Sequence, residues 1–271
     1  MCNKMERIGL LAGAGKLPLE FASVATSLGY EVYAIALLDE TEEALKEVAT
    51  NYAKISIGQL ESLIRHLKEN DIKTVTMLGK VTKELLFNNK VQPDAAMTRL
   101  IMTLPDRKDD TVMLGFIKEL QNAGMTAFDQ TALIKKLMPE KGAITKREPT
   151  ENEKKDIEFG FKIAKELGRL DIGQTVVVKN LAVMALEAIE GTDACILRGG
   201  ELAKGDAVVV KVAKPKQDNR FDVPTVGLTT IESMIKAGAK TLAIEAGETL
   251  LVEKEKVQHL AEANGISVVA V

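Results

Sequence analysis

The sequence predicts an α/β protein in two parts: a Rossmann-like N-terminal domain with a mostly parallel sheet, then a mixed α/β C-terminal domain. Three observations predict it. Through residue 128, short apolar runs alternate with amphipathic stretches, as parallel strands joined by helices do. Between 138 and 153 that alternation breaks in a segment rich in Pro, Gly, Lys, Glu and Thr. Beyond it, two apolar runs are separated only by Lys179-Asn180-Leu181, a hairpin signature. The 271 residues suit two domains, each of roughly 100–200 residues. The boundaries read as 1–137 for the first domain, 138–153 for a linker and 154–271 for the second.

Taken in order, Ile8–Leu11 is a short strand that runs into glycine. Pro18–Leu28 is a helix, with proline where a first turn tolerates it and Gly29 at its stop. Glu31–Leu38 reads as a buried strand. Gln59–Glu69 is an amphipathic helix with Leu60, Leu63, Ile64 and Leu67 on one face. Strand Thr74–Leu78 follows, then helices near Ala95–Thr103 and Thr111–Ala123, then strand Met125–Phe128. Right-handed crossovers limit such an order to a Rossmann-like arrangement. In the second part, helix Asn152–Leu167 stops at Gly168, and strands Thr175–Val178 and Ala182–Ile189 form the hairpin. Strand Ala207–Val212, helix Thr229–Ala237, strands Thr241–Glu245 and Thr249–Val252, helix Lys254–Asn264 and strand Ile266–Val271 complete the chain.

Composition excludes several function classes. Hydrophobic residues at 46% and charged residues at 28% describe a folded globular chain. The balance of 36 Lys+Arg against 39 Asp+Glu lacks the basic footprint of a nucleic-acid binder. Cys2 and Cys195 are too few for a disulfide framework or a thiolate cluster, which fits a reducing, cytoplasmic compartment. No apolar run approaches the ~18 residues of a membrane span. The polar start Met1–Arg7 and the break at Gly13 and Gly15 do not make a signal peptide. His66 and His259 have no ligand spacing, the methionines read as core filler, and Cys195 has no histidine near it in sequence to make it a nucleophile.

Three clusters could carry chemistry. Gly9, Gly13 and Gly15 surround the first strand-to-helix turn, where backbone N–H groups and a helix N-terminus can receive phosphate. Pro18 stands where a dinucleotide fingerprint wants its third glycine, and the same turn serves equally as an unliganded connection. The densest polar run, Lys211 to Asp222, follows a valine-rich strand. There Lys211, Lys214 and Arg220 could neutralise phosphate oxygens, and Asp218 and Asp222 could hold a hard divalent cation. Such runs are also often solvated loops. In the third cluster, Glu187 to Asp193, Glu190 and Asp193 could add oxygen ligands to the same ion, or simply favour the dipole of a following helix capped by Thr192. Glu245 and Glu248 form a further acid pair, best read as a tight turn after a buried strand.

The ordered motifs Ile8-Gly-Leu-Leu-Ala-Gly-Ala-Gly-Lys-Leu-Pro18, Gly58-Gln59-Leu60, Leu167-Gly-Arg-Leu-Asp-Ile-Gly-Gln174, Glu187-Ala-Ile-Glu-Gly-Thr-Asp-Ala194 and Lys214-Pro-Lys-Gln-Asp-Asn-Arg-Phe-Asp-Val-Pro224 resemble the LpxI family nearly end to end. The resemblance implies an enzyme that hydrolyses UDP-2,3-diacylglucosamine to UMP and 2,3-diacylglucosamine 1-phosphate in lipid A biosynthesis, with Mg²⁺ or Mn²⁺. Water would attack the phosphorus nearer uridine. The resemblance implies one essential aspartate, placed at Asp222 of the Arg-Phe-Asp motif with Asp218 close beside it, and the residues themselves add Asp218, Lys214 and Arg220 to the catalytic set. Read from the polar loops and the glycine turn, the metal ligands would be Asp222, Asp218, Asp193 and Glu190, and substrate contacts would come from Gly13, Gly15, Lys16, Gln59, Thr192, Lys211 and Gln217. The partner the resemblance implies is the lipid substrate; a protein that handles such a lipid would make a peripheral contact with the inner-membrane surface, and a homodimer is one open oligomeric state. A nicotinamide-dependent oxidoreductase and a nucleotide-sugar binding protein without turnover are the rival classes.

Overall fold

The computed structural model describes residues 6–81, 91–106, 109–216, 218, 220 and 222–271. By contact the chain divides into two compact units, Met1–Ile134 with Asn219–Phe221, and Lys135–Asp218 with Asp222–Val271.

The first unit is a doubly wound α/β layer structure. Its strands are β1 (Arg7–Ala12), β2 (Glu31–Ala36), β3 (Asn51–Lys54), β4 (Thr74–Leu78) and β5 (Thr126–Ala127), in the order β3-β2-β1-β4-β5. Every pairing is parallel, so both faces must be covered. The helices are α1 (Leu17–Ser27), α2 (Leu45–Val48), α3 (Leu60–Glu69), α4 (Ala95–Thr103), α5 (Asp109–Asn122) and α6 (Thr131–Ile134). The expected face of α3 is the buried one: Leu60, Leu63 and Leu67 join Leu11, Ile35, Val75 and Phe116 in one core, with Ile64 against its edge. Asp94 links two helices. One carboxylate oxygen accepts from Met97 N–H of α4 (2.8 Å), and the other from Glu61 N–H at the start of α3 (2.7 Å). One acid therefore satisfies orphan donors at two N-termini.

The second unit is a six-stranded mixed sheet between helices. Its strands are β6 (Gly142–Ala143), β7 (Thr175–Lys179), β8 (Ala182–Leu186), β9 (Val208–Lys211), β11 (Thr241–Ile244) and β13 (Ser267–Ala270), in the order β6-β13-β11-β9-β7-β8. A separate parallel pair joins β10 (Thr225–Val226) to β12 (Leu250–Leu251). The helices are α7 (Glu151–Arg169), α8 (Thr192–Ala203), α9 (Leu228–Ala237) and α10 (Lys254–Ala263). The valines alternate as a two-residue period demands. Val176, Val178, Val208 and Val210 face Ile157, Ala164 and Leu167 of α7. Val177 and Val209 face Ile196, Ile231, Met234 and Val257 of the other three helices.

The segment 138–153 contributes β6 to the sheet edge and the cap of α7. Thr150 and Glu153 form a reciprocal capping box, and Arg147 grips both Glu153 oxygens at 2.7 and 3.0 Å while reaching Lys240 O at 3.2 Å. Burial opposes the Glu153 charge, but the Arg147 guanidinium and the Thr150 amide outweigh it and hold the carboxyl below its ordinary value. A depressed folded value stabilises above the unfolded pKa and is lost as pH falls through the folded one. Glu153→Gln is expected to lower stability by about 1–2 kcal/mol at neutral pH. In chemical denaturation, its deficit against the parent should close as the pH drops into the acid range below 4.5.

The hairpin turns through Asn180 and Leu181, both with φ above +50° (53° and 59°), the handedness that matches sheet twist. Its free N–H groups go to buried Asp156 of α7, whose oxygens accept from Asn180 at 2.9 Å and Leu181 at 2.6 Å. Asp156→Ala should cost about 2–4 kcal/mol, since two N–H groups lose a charged acceptor. Asp156→Asn should cost roughly half of that, because one acceptor oxygen remains. Thermal or urea unfolding reads both values.

Candidate active site

At the first glycine turn, the space between the diverging ends of β1 and β4 is where doubly wound sheets receive ligands. Here backbone fills it. Gly13 N–H donates to Leu78 O (2.8 Å), and Ala14 and Lys80 exchange both of their hydrogen bonds (3.0 and 2.8 Å). A Cβ on Gly13 would stand 2.7 Å from Lys80 O, and one on Gly79, at φ +92°, would stand 2.8 Å from Ala14 O. These glycines therefore serve the approach of two chain segments, and two N–H groups expected to face phosphate are engaged. Gly15 bridges to Thr41, and Lys16 pairs with Glu42 at 2.6 Å. Gln59 precedes α3 with no side-chain cap bond.

The second unit gathers polar side chains at one edge. β9 and β11 run parallel, so their C-terminal ends share that edge. Because β7 is antiparallel to β9, Thr175 at its start lies beside Lys211, and the end of β8 lies there too. Lys211 is buried, 7% exposed, and donates to Thr192 Oγ1 (3.2 Å) and Thr225 O (2.8 Å). Thr192 in turn donates to Oε1 of buried Glu187 (2.9 Å), whose Oε2 accepts from Gln174 N–H (3.3 Å). Thr192 thus does not cap α8. Gly191 is the N-cap residue, and the threonine hydroxyl is drawn instead to the carboxylate.

Three residues beyond β9, Lys214 stands between two acids. Its Nζ is 2.7 Å from Asp171 Oδ1 and 3.2 Å from Asp222 Oδ2. The loop that returns Asp222 closes with its N–H donating to Asp218 O at 3.0 Å. Arg220 falls with the residues of the first unit in the contact division, and Gln217 lies outside the described residues. The other two acids have separate partners. Glu190 pairs with Arg198; its own backbone amide and then that guanidinium hold its carboxyl below the usual range. Asp193 Oδ1 accepts from Ser233 Oγ at 3.3 Å. Among the described residues, no three His, Cys, Asp or Glu side chains are grouped to hold a metal ion. The donor set is still compatible with Mg²⁺, which is commonly held by one or two carboxylates, with waters and substrate phosphates completing the shell. Asp171 and Asp222 supply two.

Three participants escaped the sequence reading. Asp171 is 43 residues from Lys214. Glu245, read as a turn acid, accepts from Lys165 Nζ with both oxygens (2.8 and 2.9 Å) across 80 residues. Glu187 sits inside a motif already singled out, and its place at a strand end beside a buried lysine was the signal available. Cys195 is fully buried, and burial, with Glu187 nearby, pushes its thiol up to about 12, which leaves it inert.

Along α7, one turn before Lys165, Phe161 lines a largely apolar cleft of about 510 Å³ with Ile157, Ala143, Pro149, Val269 and Val271, and Glu148, Lys154, Glu158 and Lys162 also line it. The Lys165 ammonium lies 5.9 Å from the Phe161 ring centroid, so the cleft and the polar edge share that wall. Among the described residues, no helix is long and apolar enough to cross a membrane.

Comparison with known proteins bears on this arrangement. Likeness to solved structures is remote. The biotin carboxylase domain of the Hydrogenobacter thermophilus 2-oxoglutarate carboxylase aligns over 74% of this chain and 42% of its own, at 13% identity and a TM-score of 0.29. The Mycobacterium tuberculosis glycinamide-RNase-transformylase T aligns over 66% and 43%, at 15% identity and a TM-score of 0.25. In sequence the likeness is extensive. The UDP-2,3-diacylglucosamine pyrophosphatase LpxI of Caulobacter vibrioides is 30% identical over 98% of both chains. The LpxI N-terminal domain matches residues 7–137 and the LpxI C-terminal domain residues 140–269. The chain belongs to the LpxI family.

Proposed function

We propose that the chain hydrolyses UDP-2,3-diacylglucosamine to UMP and 2,3-diacylglucosamine 1-phosphate, and that the chemistry occurs at the strand-end edge of the second unit. The observation that carries the reading is the placement of Lys214 between Asp171 and Asp222 at the end of β9. Water attacks the phosphorus nearer uridine. Its oxygen forms the new P–O bond as the bond to the bridging oxygen breaks, and the lipid leaves with its phosphate. Lys214 offsets charge on the diphosphate oxygens, and Asp222 orients the attacking water. Mg²⁺ or Mn²⁺, held by Asp171 and Asp222, supplies further charge neutralisation when bound. Lys211 and Thr192 hold the adjacent strand ends in register, and Arg220 is retained as a catalytic cation of the same loop.

The apolar cleft beside Phe161 takes an acyl chain, which its apolar lining and the wall shared with Lys165 support. Phe161→Ser is expected to raise KM about tenfold for a long-acyl substrate and to leave the kcat for a short-acyl analogue within about twofold, since each buried methylene contributes ~0.8 kcal/mol. Equal effects on both would remove the chain from this cleft. Exposed Leu186, Ile189, Leu197 and Leu202, on β8, α8 and their connection, support a resting contact with a lipid surface. The enzyme would then be cytoplasmic and peripheral.

The test is incubation with UDP-2,3-diacylglucosamine and Mn²⁺ or Mg²⁺, with and without chelator. UMP release that chelator abolishes supports metal-dependent hydrolysis. Release that persists in chelator removes the ion but keeps the hydrolysis, and NAD(H) binding without UMP would favour an oxidoreductase instead.

A further inference from the structure

We propose that Lys165 and Glu245 are a positioning pair for Lys214, an inference that rests on the reading of Lys214 and Asp222 as the catalytic pair. Ala213, buried at 3% exposure, immediately precedes Lys214. Its N–H donates to Glu245 Oε2 (2.8 Å) and its carbonyl accepts from Lys165 Nζ (2.8 Å). The same two side chains bind each other through both carboxylate oxygens. One ion pair therefore holds both polar groups of a single residue, fixing the planes on either side of its Cα. From α7, Gly168 lies against the Lys214 backbone, so close that a Cβ at Gly168 would stand 3.2 Å from Lys214 Cα. Lys214 leaves this clamp with its direction set, and its ammonium arrives between Asp171 and Asp222.

An ion pair kept only for stability would behave differently. Removing one partner of such a pair lowers the melting midpoint whatever its role, whereas a displacement of about 1 Å at a reacting group can lower a rate by 10²-fold, with arginine restoring it. The pair joins α7 to the end of β11, so its loss moves the strand end relative to the helix that carries Asp171 just beyond its C-terminus.

The experiment uses the full chain with Mg²⁺ and UDP-2,3-diacylglucosamine, reading kcat, KM and melting midpoint for Lys165→Met, Lys165→Arg and Glu245→Gln, with Lys155→Ala on the exposed face of α7 as control. Lys165→Met is expected to lower kcat about 30-fold with KM within about threefold. Lys165→Arg should return kcat to within about fivefold of the parent, and Glu245→Gln should lose rate as Lys165→Met does. A kcat unchanged in Lys165→Met, or a loss that arginine does not restore, overturns the proposal. Should Lys165→Met not fold, Glu245→Gln alone decides in the same way. A crystal structure of Lys165→Met, or of Glu245→Gln, gives the readout independent of activity. Loss of the Lys214–Asp222 contact supports the positioning role and its retention overturns it, even if the parent chain releases no UMP and the catalytic reading fails.

Discussion

Lys214→Met is expected to lower kcat for UMP release by about 10²–10³-fold, the usual effect of removing one preorganised donor from a site of developing charge. The Lys214 side chain is 14% exposed and meets Asp171 and Asp222 at 2.7 and 3.2 Å. Methionine keeps the length and apolar stem but removes the ammonium that stands between the two carboxylates. Lys214→Arg should recover only part of the rate, because a planar guanidinium cannot stand as a point charge between two acids. Steady-state kinetics with a melting curve for each variant checks this, and a kcat within threefold of the parent would remove Lys214 from the chemistry.

Asp222→Asn should lower kcat at least 10²-fold while Asp218→Asn stays within about tenfold. Only position in the loop separates the two acids in sequence. In the structure the Asp222 carboxylate lies 3.2 Å from the Lys214 ammonium, in the same ion-pair group as Asp171. Asparagine preserves shape and one acceptor oxygen, so little stability should be lost and the two melting midpoints should stay close. The reverse ranking of the two variants would assign the essential role to Asp218.

Much of this protein could be read from its residues because the signals are local. Strand Thr74–Leu78 is β-branched or apolar at every position and bounded by Lys73 and Gly79, and it appears with those limits. The hairpin around Asn180 and the apolar stripe of α3 depend on spacings of two to four residues. What escaped was either short or distant. Asn51–Lys54 is a strand of four residues with two exposed ends, and it pairs because β2 offers an edge rather than because its sequence alternates. Asp156 sits among the charged residues of α7, and nothing around it in sequence points to a turn 24 residues later. Gly13 was legible as a special position but not for its reason, since the strand of chain that fills its crevice comes from Gly79 and Lys80. At the active-site edge, Lys214 and Asp222 stood out because polar residues crowd the end of a valine strand. Asp171, Lys165 and Glu245 are brought to them only by the packing of α7 on the sheet.

If Lys214 and Asp222 act as one unit, their losses cannot multiply. A double-mutant cycle on kcat for UMP release with Lys214→Met, Asp222→Asn and the combined variant measures this directly. The double variant should be no slower than the worse single variant by more than about threefold. A double variant slower by the product of the two single losses would mean that the lysine and the aspartate contribute independently, and that the cation between two acids at the end of β9 is not the centre of the reaction.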